Sequence, residues 1–230
     1  MKKLLALILA ACLCVGVCSC GNVPEGPSAE EQIAEMKQKL DAAETAYELE
    51  KVVAEIKEKA DANVEGAQEL LNEATARLDD EYMDNIDVNM SLGDGVEAQE
   101  YAEKLSDPVK GAKICVWIDF IWYIQSVHSA VVDNFKQNLK DPNSYTDIGS
   151  TYAYDVEPTD EQGKILVKNF SFTLRYTATN SFGGAVQDTY DWELKDREWS
   201  YDSEVLTPEQ VCDVLTSGNF DNLMKKLREE

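Results

Sequence analysis

The sequence predicts an α+β fold, with an N-terminal helical bundle followed by a long helix packed on a three- to four-stranded antiparallel sheet. Three observations predict it. Apolar residues recur at helical spacing from Ile33 to Leu78. A nearly unbroken apolar segment, Ile114 to Val132, carries its polar residues on a single helical stripe. After Tyr145 the chain alternates at period two between turn signals.

The first helix is announced by Ser28 and Glu31, a capping box in which each residue satisfies the other's backbone N–H. Ile33, Met36, Leu40 and Ala43 then repeat on one face. Thr45 with Glu48 opens a second helix carrying Leu49, Val52, Val53, Ile56 and Ala60. A third, from Gly66 to Asp80, carries Ala67, Leu70, Leu71, Ala74 and Leu78. These narrow, Ala-rich faces suit helices packed on one another. The break in register between Tyr47 and Val53 argues against one continuous coiled coil, which needs a sustained heptad.

Asp84 to Gly95 is polar and reads as a loop. Within it Asp87, Asn89 and Ser91 place oxygen side chains at alternate positions and resemble the opening of an EF-hand calcium loop. Leu92 stands where that loop needs glycine, and Ala98 where it needs its bidentate acid. The resemblance then fails, and a polar linker with an N-cap at Asp94 explains the same residues, with a weak, millimolar calcium site as the minor reading.

Asp94 and Glu97 open a short helix, and Asp107-Pro108 starts a long one that Asp141-Pro142 stops. Asp119, Ser126, Ser129, Asp133, Gln137 and Lys140 fall at spacings of 7, 3, 4, 4 and 3, which no strand would place on one face. Asp119 in mid-segment disfavours a membrane span, since an acid at the bilayer centre costs about 2.5 to 3.5 kcal/mol.

Strands follow at Tyr145 to Val156 and at Ile165 to Tyr176, where a phase slip near Asn169 indicates a bulge. Turns at Asn180 to Gly184 and Lys195 to Arg197 flank Tyr190, Trp192 and Leu194, and lead to Trp199 and Tyr201. One apolar sheet face then needs a cover, which the long helix supplies. Thr207-Pro208-Glu209-Gln210 starts the terminal helices, the last running through Phe220, Leu223 and Leu227. The stretches Leu139 to Tyr145 and Tyr176 to Gly184 resemble a pattern of small uncharacterised bacterial secreted domains, spanning roughly residues 130-200. That resemblance implies a helix on an antiparallel sheet and no activity.

At the N-terminus Lys2 and Lys3 precede an apolar run from Leu4 to Val17, too short for the roughly 20 residues of a bilayer span. It reads as a secretory signal. Val17-Cys18-Ser19-Cys20-Gly21 resembles the lipobox of bacterial lipoproteins, with an aliphatic residue three places before Cys20 and a small one just before it. The resemblance implies cleavage before Cys20, lipidation there, and anchoring in the cell envelope outside the cytoplasm. The division expected is a signal peptide over 1-19, a lipidated tether over 20-28, a helical bundle over 29-83 and an α+β domain over 84-230.

Removing Lys2 and Lys3 from the 21 basic residues leaves 19 against 44 acidic, a mature charge of −25. Such a surface repels phosphate backbones, so no nucleic acid is expected as a partner. It is repelled by anionic headgroups too, leaving the lipid on Cys20 as the contact with the membrane. Once the leader is gone, Cys115 and Cys212 are the cysteines left beside Cys20, and an oxidising compartment permits a disulfide between them. Cysteine is equally a small buried hydrophobe.

No catalytic set stands out and no cofactor is expected. His128 is the single histidine and has no flanking nucleophile motif. Asp119, Asp188, Asp191 and Glu193 could border a cleft, but among 44 acids no spacing singles out a pair. Trp122, Tyr123, Tyr152, Tyr154, Trp192, Trp199 and Tyr201 are rich in aromatics for a small domain, and would form a recognition surface if they lay on an open sheet face. The expected function is a non-catalytic envelope lipoprotein that binds a protein or envelope component. The alternative is a ligand-binding or enzymatic domain with a pocket between long helix and sheet, lined by Asp119 and His128.

Overall fold

The computed structural model describes residues 26–230; the leader, Cys20 and most of the tether lie outside the described residues. The chain has an α+β fold, with helices first and last around an antiparallel sheet. The first three helices are α1 (Ala29–Ala42), α2 (Ala46–Asp61) and α3 (Ala67–Leu92). Both expected capping boxes, Ser28 with Glu31 and Thr45 with Glu48, are formed. Arg77 of α3 donates to the carbonyls of Leu40 and Ala43 at 2.6 Å each, satisfying acceptors that the end of α1 leaves open.

The expected loop over 84-95 is instead helical as far as Leu92, and the division expected at 83/84 falls inside α3. Its polarity hid a continuing four-residue step: Leu78, Tyr82 and Ile86 are buried and Met90 packs against them. The helix stops at Gly93, whose φ of +79° suits glycine. The N–H groups of Gly93 and Asp94 close back on Met90 and Asn89, a Schellman pair. Asp94 then caps α4 (Gly95–Glu103), and Asp107 caps α5 (Pro108–Lys136) with Pro108 in first position.

Helix α5 sits between two layers. Toward the sheet, Phe120 lies 5.0 Å from both Tyr154 and Trp199, and Phe135 lies 4.7 Å from Tyr176. Toward the helices, Gly111 faces the Ala102 carbonyl and Trp117 lies 5.0 Å from Phe220. Cover on both sides explains why α5 is apolar nearly all round. By length and composition alone it is apolar enough to cross a membrane. One hydrophobic core runs from Met36 through α5 to Leu227, joining the two expected domains.

The sheet comprises β1 (Thr146–Asp147), β2 (Thr151–Pro158), β3 (Lys164–Thr179), β4 (Ala185–Glu193) and β5 (Arg197–Ser200). Residues 171–173 of β3 pair with β2 and with β4 at once, so those two lie on opposite edges of β3. β1 prolongs the β2 edge and β5 the β4 edge, giving three broken strands in antiparallel order. Asn169 forms the bulge, at φ +50°, its N–H held by Asp196 and its amide donating to Asp155 at 2.7 Å. That extra residue moves the buried set from Ile165 and Val167 to Phe170, Phe172 and Leu174.

Two helices finish the fold. α6 (Pro208–Leu215) packs along β2, where the Tyr154 hydroxyl donates to the Leu215 carbonyl at 3.0 Å. α7 (Phe220–Glu229) lies against α5 and the end of α3, and Arg228 reaches Asp84 at 2.8 Å and Asp87 at 2.7 Å.

Candidate binding surface

The expected calcium ligands do not form a loop. Asp87, Asn89 and Ser91 lie on α3, where residues two apart point to different sides of the helix. Each is already engaged: Asp87 with Arg228, Asn89 with the Asn85 carbonyl at 2.9 Å, Ser91 with the Val88 carbonyl at 2.7 Å. Among the described residues no group of three His, Cys, Asp or Glu side chains could hold a metal.

The expected disulfide is not formed either, for Cys115 and Cys212 are both free thiols. Their surroundings differ. Cys115 is half-buried on α5, and burial, Glu103 and Asp119 push its thiol up to about 11. Cys212 is buried on α6, and burial, Asp213, Glu209 and Glu157 push it up to about 11. Cys115 lies near Glu103 of α4 and Cys212 near Glu157 of β2.

Asp119 and His128 do not share a pocket. Asp119 accepts from the Gln99 amide at 2.7 Å on the α4 side. His128 faces the sheet, its Nε2 3.4 Å from Asp147 Oδ2 and its ring 5.5 Å from Phe172. A cavity of about 200 Å³ adjoins it, lined by Gln125, Ser150 and Tyr152 among others. Burial raises the Asp147 carboxyl, but the N–H groups of Gly149 and Ser150 and the Ser150 hydroxyl bring it below its ordinary value. Ser150 donates to Asp147 and not to His128, so no nucleophile–base–acid chain results. Between these margins, the centre of the α5–sheet interface is filled by Phe120, Tyr123, Phe170, Phe172 and Trp199.

Larger concavities lie elsewhere, two of them lined in good part by apolar side chains. One, of about 620 Å³, separates α3 from α7; Met90, Trp117, Phe220 and Met224 line it with Asp87, Lys225 and Arg228. The other, of about 460 Å³, opens between α5 and the β4–β5 side of the sheet. Ser126, Val127, Ala130 and Asn134 form one wall, Trp192, Leu194 and Arg197 the other.

The second cleft borders a bare strand. β4 pairs with β3 alone among the described residues, and all its residues but Trp192 are exposed. The N–H of Leu194 bonds to Phe170 and that of Asn180 to Gly184, in the register that continues through β4. The backbone groups of residues 186, 188, 190 and 192 therefore face β3, and those of 185, 187, 189, 191 and 193 face outward. Thr189 confirms the phase, since its outward N–H is met by the Asp188 carboxylate at 2.8 Å. Side chains alternate too: Val186, Tyr190 and Trp192 lie on the α5 side, with Tyr190 4.6 Å from Phe135. Gln187, Thr189, Asp191 and Glu193 lie on the outer face. The hairpin tip that precedes β4 holds Phe182 96% exposed.

The sequence located Trp192, Asp188, Asp191 and Glu193 but gave no sign that they share an open edge. Among the aromatics expected as a recognition surface, Tyr123, Tyr154, Trp199 and Tyr201 are core-packed, while Tyr152, Trp122 and part of Trp192 reach solvent. Comparison of the chain with protein-family models, with curated proteins and with solved structures returned no match.

Proposed function

We propose that this chain is a non-catalytic cell-envelope lipoprotein, held by lipid on Cys20, that binds a protein or envelope component. The observation that carries the reading is the bare β4 edge beside an apolar cleft, for interaction sites gather such unpaired backbone and partly exposed aromatics. Aromatic packing fills the centre of the α5–sheet interface, and Ser150 beside His128 is bonded to Asp147 instead, which favours this over an enzyme pocket there.

The position of the edge suits a tethered binder. α1 begins beside Gly66 at the start of α3, and Ser106, just before α5, bonds to Asp79 halfway along α3. Lys140, just after α5, donates to Ser181 in the β3–β4 hairpin. The hairpin thus lies at the far end of α5 from the bundle, and α5 alone spans about 43 Å. A lipid near residue 20 would hold the bundle at the membrane and present the sheet outward.

Two measurements on intact cells test the reading. Metabolic labelling with an alkyne fatty acid should mark the native chain and not Cys20→Ala. Crosslinking followed by affinity purification should recover a stoichiometric partner with the anchored chain. An unlabelled native chain defeats the anchor, and the lack of any stoichiometric partner defeats the binding role.

A further inference from the structure

We infer that the outer edge of β4 receives an extended segment of another protein, one that alternates apolar with basic residues and adds to the sheet as a further strand. This deepens the binding role proposed above and rests on it.

The conformation of the occupant follows from the backbone. Ala185, Gln187, Asp191 and Glu193 present outward N–H and C=O groups with no strand paired to them among the described residues. Groups spaced at the strand repeat are complementary to another strand and to no helix. The opposite edge strand, β2, is also paired with β3 alone among the described residues, but α6 packs on its α5-side face, whereas β4 has the open cleft there.

The chemistry of the occupant follows from the two faces. On the α5 side a sixth strand segment would lie beside Val186, Tyr190 and Trp192, with the cleft of α5 next to it. Its residues on that side are apolar. The alternate residues meet Asp191 and Glu193, while Asp188 stands on the α5 side with its carboxylate on the Thr189 N–H. None of the three has a cation within ion-pair distance among the described residues. β4 itself has no lysine or arginine, so those alternate residues are basic. Arg197 lies past the end of β4, and there the added strand carries no cation.

Charge also argues against a second copy as the occupant. A chain of net charge −25 after processing would place like-charged edges together, a device by which open edges avoid self-pairing. A basic strand meets no such barrier.

The test uses the folded chain and a short synthetic peptide alternating valine with lysine. The control peptide has the same composition with lysines in one block. The alternating peptide should bind at least tenfold tighter, and should protect the N–H groups of Gln187 and Asp191 from hydrogen exchange. N-methylation of every second peptide residue should abolish binding in one phase and spare it in the other, a readout that leaves the protein untouched. Gln187→Pro should weaken binding about tenfold with an unchanged melting temperature. Equal binding of the two peptides, protection centred on the α3–α7 groove, or a concentration-dependent dimer that Gln187→Pro abolishes would each overturn the inference. If the partner crosslinked in cells is retained by Gln187→Pro, the binding role stands and the edge is not its site. If no partner exists at all, the binding role itself has failed.

Discussion

The sheet has two edge strands, each paired with β3 alone among the described residues, and a helix packs on one of them. Along β2 the residues Tyr152, Tyr154 and Val156 alternate, and α6 lies beside them with the Tyr154 hydroxyl bonded to the Leu215 carbonyl. Along β4 the residues Val186, Tyr190 and Trp192 alternate in much the same way, yet no strand or helix follows to lie outside them. Strand composition is thus a poor guide to which edge strand a helix packs on. What decides it is where the segment after β5 travels, and it turns toward β2. The acids on β4 then serve an edge left open, as charges on exposed edges do elsewhere.

The deepest way to break both edges together is to remove what they rest on. Phe120 is fully buried and touches Tyr123, Tyr154 and Trp199. Phe120→Ala should lower stability by about 3 to 5 kcal/mol in urea unfolding. A loss below about 1 kcal/mol would mean that the aromatic layer is not what holds the sheet to α5.

A second substitution strains the opposite face of α5. A Cβ on Gly111 would lie 2.3 Å from the Ala102 carbonyl oxygen, closer than backbone can tolerate. Gly111→Ala should cost about 1 to 3 kcal/mol through overpacking between α4 and α5. Because this contact lies away from the sheet, amide exchange should rise in β2 and β4 alike, leaving their difference as it was. A selective rise in β4 would show that the open edge depends on the helical layer.

A third variant loosens the helix packed on β2. Thr207 caps α6 in a capping box with Gln210, and Thr207→Ala should cost about 1 kcal/mol. The cost is local. Cys212 reports it directly, since its buried thiol is pushed up to about 11 and should react slowly with iodoacetamide near neutral pH. In Thr207→Ala that alkylation should accelerate, together with amide exchange in β2 but not in β4. Unchanged alkylation would mean that α6 stays docked without its cap.

Much of this architecture was legible in the residues, and the reasons are local. Capping boxes at Ser28, Thr45 and Thr207 marked helix starts because their bonds join residues three apart. The bulge at Asn169 was readable because one extra residue flips an apolar alternation. The stretch from Asp84 to Leu92 reads as a loop because five polar residues are interleaved with four apolar ones, although Tyr82, Ile86 and Met90 keep the helical step. The calcium-loop pattern fails with it, since Asp87, Asn89 and Ser91 have loop spacing only in a loop. The free thiols at Cys115 and Cys212, the close approach at Gly111 and the open edge of β4 depend on how distant segments meet. No local spacing encodes that.

The smallest expected effect bears most directly on the comparison of edges. Gln187→Pro removes an N–H that faces outward from β4, and proline is accepted on edge strands where its missing donor had no partner. The preceding Val186 already holds the extended conformation that a proline requires of its neighbour. Its stability should therefore stay within about 0.5 kcal/mol of the native chain. Asp188→Pro, one residue away, removes an N–H that faces β3 and also the carboxylate that meets Thr189, and should lower the melting temperature clearly. The contrast between neighbours tests the backbone phase deduced from Leu194 and Asn180. If both prolines destabilise equally, the outward groups of β4 are not free and the two edges differ less than their neighbours suggest. If the gap appears, β4 retains a row of unmet donors and acceptors that the chain fills with nothing of its own.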